Sequence, residues 1–210
     1  PDDASAVALN VTAVNAEAPG FVTVAPCGEP LPPTSNVNYG TDGATPNLVV
    51  TAPGDDGEVV AVASTDTDLI VDVFAGFATD ADLGLVTPER FSDSRTIGAP
   101  VPAGGTVELQ ITDAAGIPDD ASGVMLNLTA AAPTAAGFVS VYPCGAGPPD
   151  ASNLNMVAGA DVANFVLVEP DANGRVCVTT SATTHLIADV LGWAGDAFVG
   201  QAPQRLFDTR

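Results

Sequence analysis

Leu69-Ile70-Val71-Asp72-Val73 returns 117 residues later as Leu186-Ile187-Ala188-Asp189-Val190, and reading the two runs together decides the fold. Each is short, apolar and rich in β-branched residues, with one carboxylate set among them. Outward from these runs the same offset holds. Pro1-Asp-Asp-Ala-Ser5 becomes Pro118-Asp-Asp-Ala-Ser122, Gly20-Phe21-Val22 becomes Gly137-Phe138-Val139, and Pro26-Cys27-Gly28 becomes Pro143-Cys144-Gly145. Ser35-Asn36-Val37-Asn38 matches Ser152-Asn153-Leu154-Asn155, and about 33 of 73 ungapped positions are identical. Self-similarity on this scale is a tandem duplication. One residue is then lost before Gly192-Trp193, and Arg90-Phe-Ser-Asp93-Ser-Arg95 is answered by Arg205-Leu-Phe-Asp208-Thr-Arg210.

Within each copy the period is two. Ala6-Val-Ala-Leu-Asn-Val-Thr12, Phe21-Val-Thr-Val24, Asn47-Leu-Val-Val-Thr51 and Val59-Val-Ala-Val62 read as short strands separated by Gly, Pro and Asp clusters. Asp56-Gly57 and Asn173-Gly174, each between apolar runs, predict hairpins. The expectation is an all-β chain of two tandem antiparallel β-sandwich domains, Greek-key or jelly-roll-like. Repeat 1 takes residues 1–89 and lacks an N-terminal strand segment. Repeat 2 takes 90–204 with a connector strand within 96–117, where Thr106-Val-Glu-Leu-Gln-Ile-Thr112 alternates. Residues 205–210 read as the start of a further unit. The chain opens on Pro1 with no signal peptide, as a processed chain or a piece of a longer array does.

Composition narrows the function classes. Twenty-six acidic residues against five basic ones give a net charge of −21. Such a surface repels nucleic acid and anionic membranes, which need clustered cations. No apolar run approaches the ~18 residues of a membrane-spanning helix, so no membrane insertion is expected. All five cations are Arg, which excludes any lysine-dependent chemistry. The single His185 leaves no histidine-rich zinc set. His185, Asp189 and Ser181 lack the spacing of a catalytic triad: strand positions four apart sit about 13 Å from one another.

Several motifs occur in fixed order: Arg-x-x-Asp-Thr-Arg, Pro-Val-Pro-Ala-Gly-Gly-Thr-Val, Val-x-Leu-Asn-Leu-Thr-Ala, Gly-Phe-Val-Ser-Val-Tyr-Pro-Cys-Gly, Ser-Asn-Leu-Asn and Leu-Ile-x-Asp-Val-x-Gly-Trp. Together they resemble a β-rich repeat, running from "RLLDTR" to "VDVNGYF", of secreted and cell-surface proteins of actinobacteria and their relatives. The likeness covers nearly the whole chain. It implies a secreted or cell-surface, non-catalytic module without a cofactor: a structural repeat of a fibre or stalk. Its partners would be copies of itself, joined head-to-tail by strand addition at an edge that repeat 1 leaves open. The alternative is a carbohydrate-binding or adhesion module recognising extracellular polysaccharide.

Individual residues carry two readings each. In an exported chain Cys144 and Cys177 form a disulfide closing a 34-residue loop, worth about 3–4 kcal/mol by chain entropy; otherwise they are two buried thiols. Cys27 is then an odd thiol, expected to pack as a small apolar residue. Arg90, Asp93 and Arg95, and likewise Arg205, Asp208 and Arg210, form guanidinium–carboxylate clasps at the unit junctions or else read an acidic glycan. Asp119 and Asp120 are the recurring acid pair a calcium ion could use, against ordinary turn chemistry. Asp72 and Asp189 either face solvent by alternation or are buried and hydrogen-bonded. The recurring Asn36/Asn153 and Asn47/Asn164 anchor turns or line a sugar groove. Phe21, Phe77, Phe138 and Trp193 recur at matched positions and are expected in the core. Tyr39 and Tyr142, which lack matched aromatics, are the candidates for an exposed ligand contact.

Overall fold

Fourteen strands and no helix are found among the described residues, 4–196 and 198–200, of the computed structural model. The first sandwich pairs β1 (Ala4–Val14) with β4 (Thr45–Thr51) and β6 (Asp68–Ala78), in the order β4-β1-β6. Its facing sheet is β2 (Gly20–Pro26) with β3 (Val37–Tyr39) and β5 (Val59–Ala63), in the order β3-β2-β5. Every pairing is antiparallel.

The second sandwich repeats this plan and adds one strand to each sheet. Two of its strands precede the copied part: β7 (Leu83–Asp93) and β8 (Thr106–Gln110). The copied strands are β9 (Gly123–Ala131), β10 (Gly137–Pro143), β11 (Leu154–Met156), β12 (Val162–Val168), β13 (Arg175–Thr180) and β14 (His185–Ala194). The sheets run β12-β9-β14-β7 and β11-β10-β13-β8. The duplication read from the sequence is thus a duplication of pairing: β9–β12, β9–β14, β10–β11 and β10–β13 copy β1–β4, β1–β6, β2–β3 and β2–β5.

Alternation sorts the side chains. On β9, Val124, Leu126, Leu128 and Ala130 point into the second core, while Met125, Asn127 and Thr129 face outward. Leu9, Val11, Val22, Val24, Val37 and Val49 fill the first core in the same way. A third apolar layer joins the sandwiches. Ala6, Ala8 and Val50 on the outer face of β4-β1-β6 pack on Met125 and Leu191 of the second sandwich. Polar contacts close this layer: Asn47 donates through Nδ2 to Asn127 Oδ1 (3.0 Å) and accepts the Phe165 N–H at Oδ1 (2.9 Å).

Two expectations change. Strand β7 straddles the boundary expected at 89/90, and its ladder, from Leu83↔Ala194 to Asp93↔Ile187, belongs wholly to the second sandwich. The Asp-Gly and Asn-Gly segments turn the chain, with Gly57 at φ +77° and Gly174 at φ +74°, but they are not hairpins. β4 pairs with β1 while β5 pairs with β2, so the turn carries the chain from one sheet to the other. The connector strand expected within 96–117 is β8, hydrogen-bonded to β13.

Candidate assembly interface

The second sandwich is closed on the side where the first is open. Strand β7 covers the free edge of β14, and β8 covers β13. In the first sandwich the duplicates of those edges, β6 and β5, end their sheets, with no further strand beside them among the described residues. Matched residues measure the difference. Val190 is fully buried whereas Val73 is 72% exposed; Leu191, which also packs on Ala6 and Ala8 of the first sandwich, is 3% exposed whereas Phe74 is 68% exposed. Ile70 and Val71 are also exposed. A continuous apolar run suits a strand buried on both faces, and β14 is one. β6 carries the same run into solvent.

The closure of β14 is electrostatic as well as apolar. Arg90 on β7 donates through Nε to Asp189 Oδ1 at 2.9 Å, and Asp189 is fully buried. Burial pushes the Asp189 carboxyl upward, while Arg90 pulls it back down. The Oδ2 of Asp189 has no hydrogen-bond partner among the described residues, so Arg90 is its main compensation. Beside it, Arg95 grips Asp93 from Nε (2.9 Å) and Nη2 (2.7 Å), and Arg90 reaches the same carboxylate at 3.4 Å. The Arg95 hydrogen bonds hold Asp93 below the usual carboxylate range in spite of burial. Next in sequence, Ser94 Oγ accepts the Leu186 N–H at 3.0 Å and bonds His185 Nδ1 at 3.0 Å. Arg90, Asp93 and Arg95 are therefore a clasp between β7 and β14. Asp72, the duplicate of Asp189, is exposed and has no ion pair or side-chain hydrogen bond among the described residues.

The remaining sequence candidates fall as follows. Cys144 and Cys177 are bonded, and Tyr142 packs on the pair. Cys27 is an exposed free thiol, contrary to the buried position expected. The residue duplicating Cys177 is Val60, on the uncovered strand β5, so nothing encloses Cys27. Tyr39 and Tyr142, expected as exposed contacts, are 4% and 5% exposed. Their hydroxyls bond Thr65 O and Thr179 Oγ1. A phenol placed at a strand end buries its ring and satisfies its hydroxyl locally. Phe21 and Phe138, expected in the core, are exposed at matched outward positions.

The asparagines bind backbone in both copies. Asn36 Oδ1 accepts the Val24 N–H and Asn153 Oδ1 the Val141 N–H, each at 2.7 Å. Asp119 and Asp120 lie exposed in a turn, and no cluster of three or more His, Cys, Asp or Glu among the described residues is placed to hold a metal. Arg205, Asp208 and Arg210 lie outside the described residues. The partner of Arg90, Asp189, was visible in the sequence only as a carboxylate inside an apolar strand. What the sequence did not specify was which arginine answers it.

A cleft of about 490 Å³ lies between the sandwiches, with Phe21, Leu31 and Pro32 on one wall and Arg90, Arg95 and Asp161 on the other. Both arginines are already committed to carboxylates, which leaves an acidic ligand little positive charge to meet. No protein-family model matches this chain, and no curated protein or solved structure is detectably similar to it.

Proposed function

We propose that this chain is a non-catalytic structural repeat of a secreted or cell-surface fibre or stalk, whose units join head-to-tail by strand addition at β6. The observation that carries this reading is the apolar strand β6, which no strand among the described residues covers, beside its enclosed duplicate β14. An exposed, unpaired edge of this kind is a template for another strand, and adding one satisfies backbone groups while burying alternate side chains. Removing Val73 from water, as its duplicate Val190 is, would contribute roughly 1.5–3 kcal/mol. The Cys144–Cys177 disulfide supports an oxidising compartment outside the cytoplasm. The net charge of −21 supports a role in which units meet only at designated edges, since like charge keeps the remaining surfaces apart.

Polysaccharide binding, the other class, is weakened because Tyr39 and Tyr142 are buried rather than presented as stacking platforms. Light scattering over a concentration series, with electron microscopy of the same samples, tests the assembly. The expected result is end-to-end oligomers that grow with concentration and are lost in Val73→Lys. Monomers at every concentration would refute the reading.

A further inference from the structure

We propose that the cleft between the two sandwiches binds a short stretch of neutral polysaccharide, stacked on Phe21 and hydrogen-bonded by Arg95 and Asp161. The site is independent of strand addition, since none of its residues lies on β6 or after Gly200.

The first observation is hydrogen-bonding capacity left over at one place. Two buried side-chain oxygens have no partner among the described residues, Thr34 Oγ1 and Asp189 Oδ2. Thr34 lines the cleft, and so does Arg90, which holds the other oxygen of Asp189. Buried polar atoms are almost always partnered, so two orphans at one cavity mark it as a place for polar groups from outside the chain. The lining adds more. Arg95 spends Nε and Nη2 on Asp93 and leaves Nη1 with no acceptor among the described residues. Asp161 gives Oδ1 to the Ala132 N–H at 2.8 Å, and Asn38 gives Oδ1 to the Ser35 hydroxyl at 2.7 Å. Asp161 Oδ2 and Asn38 Nδ2 remain.

The second observation is an aromatic platform. Phe21 lines the cleft and is 44% exposed. That exposure belongs to the repeat and does not come from a strand the first sandwich lacks: its duplicate Phe138 is 45% exposed in the sandwich that β8 completes. Only Phe21 has a second wall across from it, because Phe138 does not line this cleft. A pyranose ring has an apolar C–H face and a rim of hydroxyls, which suits an aromatic face beside a few placed polar groups. Phe21 thus supplies the stacking surface that the buried Tyr39 and Tyr142 do not.

Charge and size select the class of ligand. Arg90 and Arg95 are held by carboxylates, and the net charge of −21 repels an acidic glycan. A cation would meet two guanidinium groups. A peptide is recognised through a backbone ladder, whereas the groups left over here are all side-chain atoms. A hydroxyl both donates and accepts, so it alone serves Arg95 Nη1 and Asp161 Oδ2 together. The volume of about 490 Å³ lies within the roughly 300–1,000 Å³ of ligand sites.

Calorimetric titration of the full chain with cellohexaose, mannohexaose and xylohexaose tests the assignment. Saturable binding to at least one of the three is expected. Phe21→Ala should weaken it about tenfold through lost apolar contact, and Phe138→Ala, at the equally exposed duplicate, should leave it within about twofold. Asp161→Asn, at an exposed position, keeps an acceptor for the Ala132 N–H and should weaken binding about fivefold. Trp193 fluorescence and the urea midpoint check that each variant is folded. No saturable binding to any of the three, tighter binding of a galacturonic acid hexamer or of decaproline, or equal losses in Phe21→Ala and Phe138→Ala, would overturn the site.

Discussion

Replacing Arg90 by Met separates a buried ion pair from ordinary surface charge. The substitution keeps an apolar stem of similar length but removes the hydrogen-bond donor that Asp189 Oδ1 has among the described residues, Arg90 Nε at 2.9 Å. Oδ2 already has no partner among the described residues, so the buried carboxylate would lose its one compensating group there. Breaking such a pair by removing one member typically costs 3–5 kcal/mol. An independent ceiling comes from proton linkage, because the variant can fold with Asp189 neutral. Protonating a carboxyl of ordinary pKa 3.8 at pH 7 costs about 4.4 kcal/mol, at about 1.36 kcal/mol per unit. Arg90 is 30% exposed, which screens part of its field, so about 2–4 kcal/mol is expected at pH 7.

The sign of the pH dependence follows from the same cycle. Asp189 already has its carboxyl raised by burial. Its favourable contribution is therefore present below pH 3.8 and is lost as pH rises through its folded value. Losing Arg90 raises that value further, so the penalty shrinks on acidification, to at most about 1.6 kcal/mol at pH 5. The assay is urea unfolding followed by Trp193, the only tryptophan, which sits on β14 opposite Gly84 of β7 and so reports on the same strand pair. With a slope of about 2 kcal/mol/M, the midpoint should fall by roughly 1–2 M at pH 7. Adding Asp189→Asn to Arg90→Met should recover much of the loss. Asp72→Asn, at the duplicate position, should change stability by less than about 0.5 kcal/mol. A penalty equal at pH 5 and pH 7, or a comparable effect of Asp72→Asn, would refute the argument that burial separates the two aspartates.

Three further outcomes follow from the same geometry. Cys144→Ala with Cys177→Val, which installs the residue found at Val60, should destabilise the second sandwich by about 3–4 kcal/mol through lost loop constraint; unchanged Trp193-monitored unfolding would contradict this. Asp93→Asn should cost about 1–3 kcal/mol at neutral pH through lost charge-assisted hydrogen bonds. Because Arg95 lowers the Asp93 value, that stability is present above about pH 3.8 and disappears as pH falls through the lowered folded value, so parent and variant should converge on acid titration below pH 3.8. Val190→Lys should unfold the second sandwich, since it buries a charge in the core, while Val73→Lys should leave monomer stability within about 0.5 kcal/mol in calorimetry.

The two-sandwich fold was legible because its signals are local and doubled. β2, β3 and β4 reappear as β10, β11 and β12 at the offset read from the sequence. Period two separated Leu9 and Val11 from Ala8 and Asn10 without any tertiary information. What the sequence left open depends on neighbours rather than on residue type. Asp72 and Asp189 sit in nearly identical pentapeptides, and only the presence of β7 makes one a buried partner and the other a surface charge. Tyr39 and Tyr142 looked free because no aromatic matches them, yet ring burial needs only a nearby acceptor, supplied by Thr65 and Thr179. The Asp-Gly turns were recognised but their destination was not, since turn chemistry fixes a reversal and not the sheet the chain enters next.

The unit that repeats in sequence is offset from the unit that closes in space. Residues 121–194 copy 4–78, yet the sandwich they form is completed by strands drawn from 83–110, which precede the copy. A copied unit alone therefore holds six of eight strands and leaves one side of its core uncovered. The missing pieces carry their own address. β7 brings an arginine to an aspartate that its apolar strand would otherwise bury alone, so a mispaired or register-shifted strand strands that charge. Apolar area supplies most of the attraction, but valine and leucine accept many registers. The Arg-x-x-Asp-x-Arg clasp accepts one. Of the three described arginines, two serve this one clasp, Arg90 on Asp189 and Arg95 on Asp93, and that is how the second sandwich holds β7 in a single register.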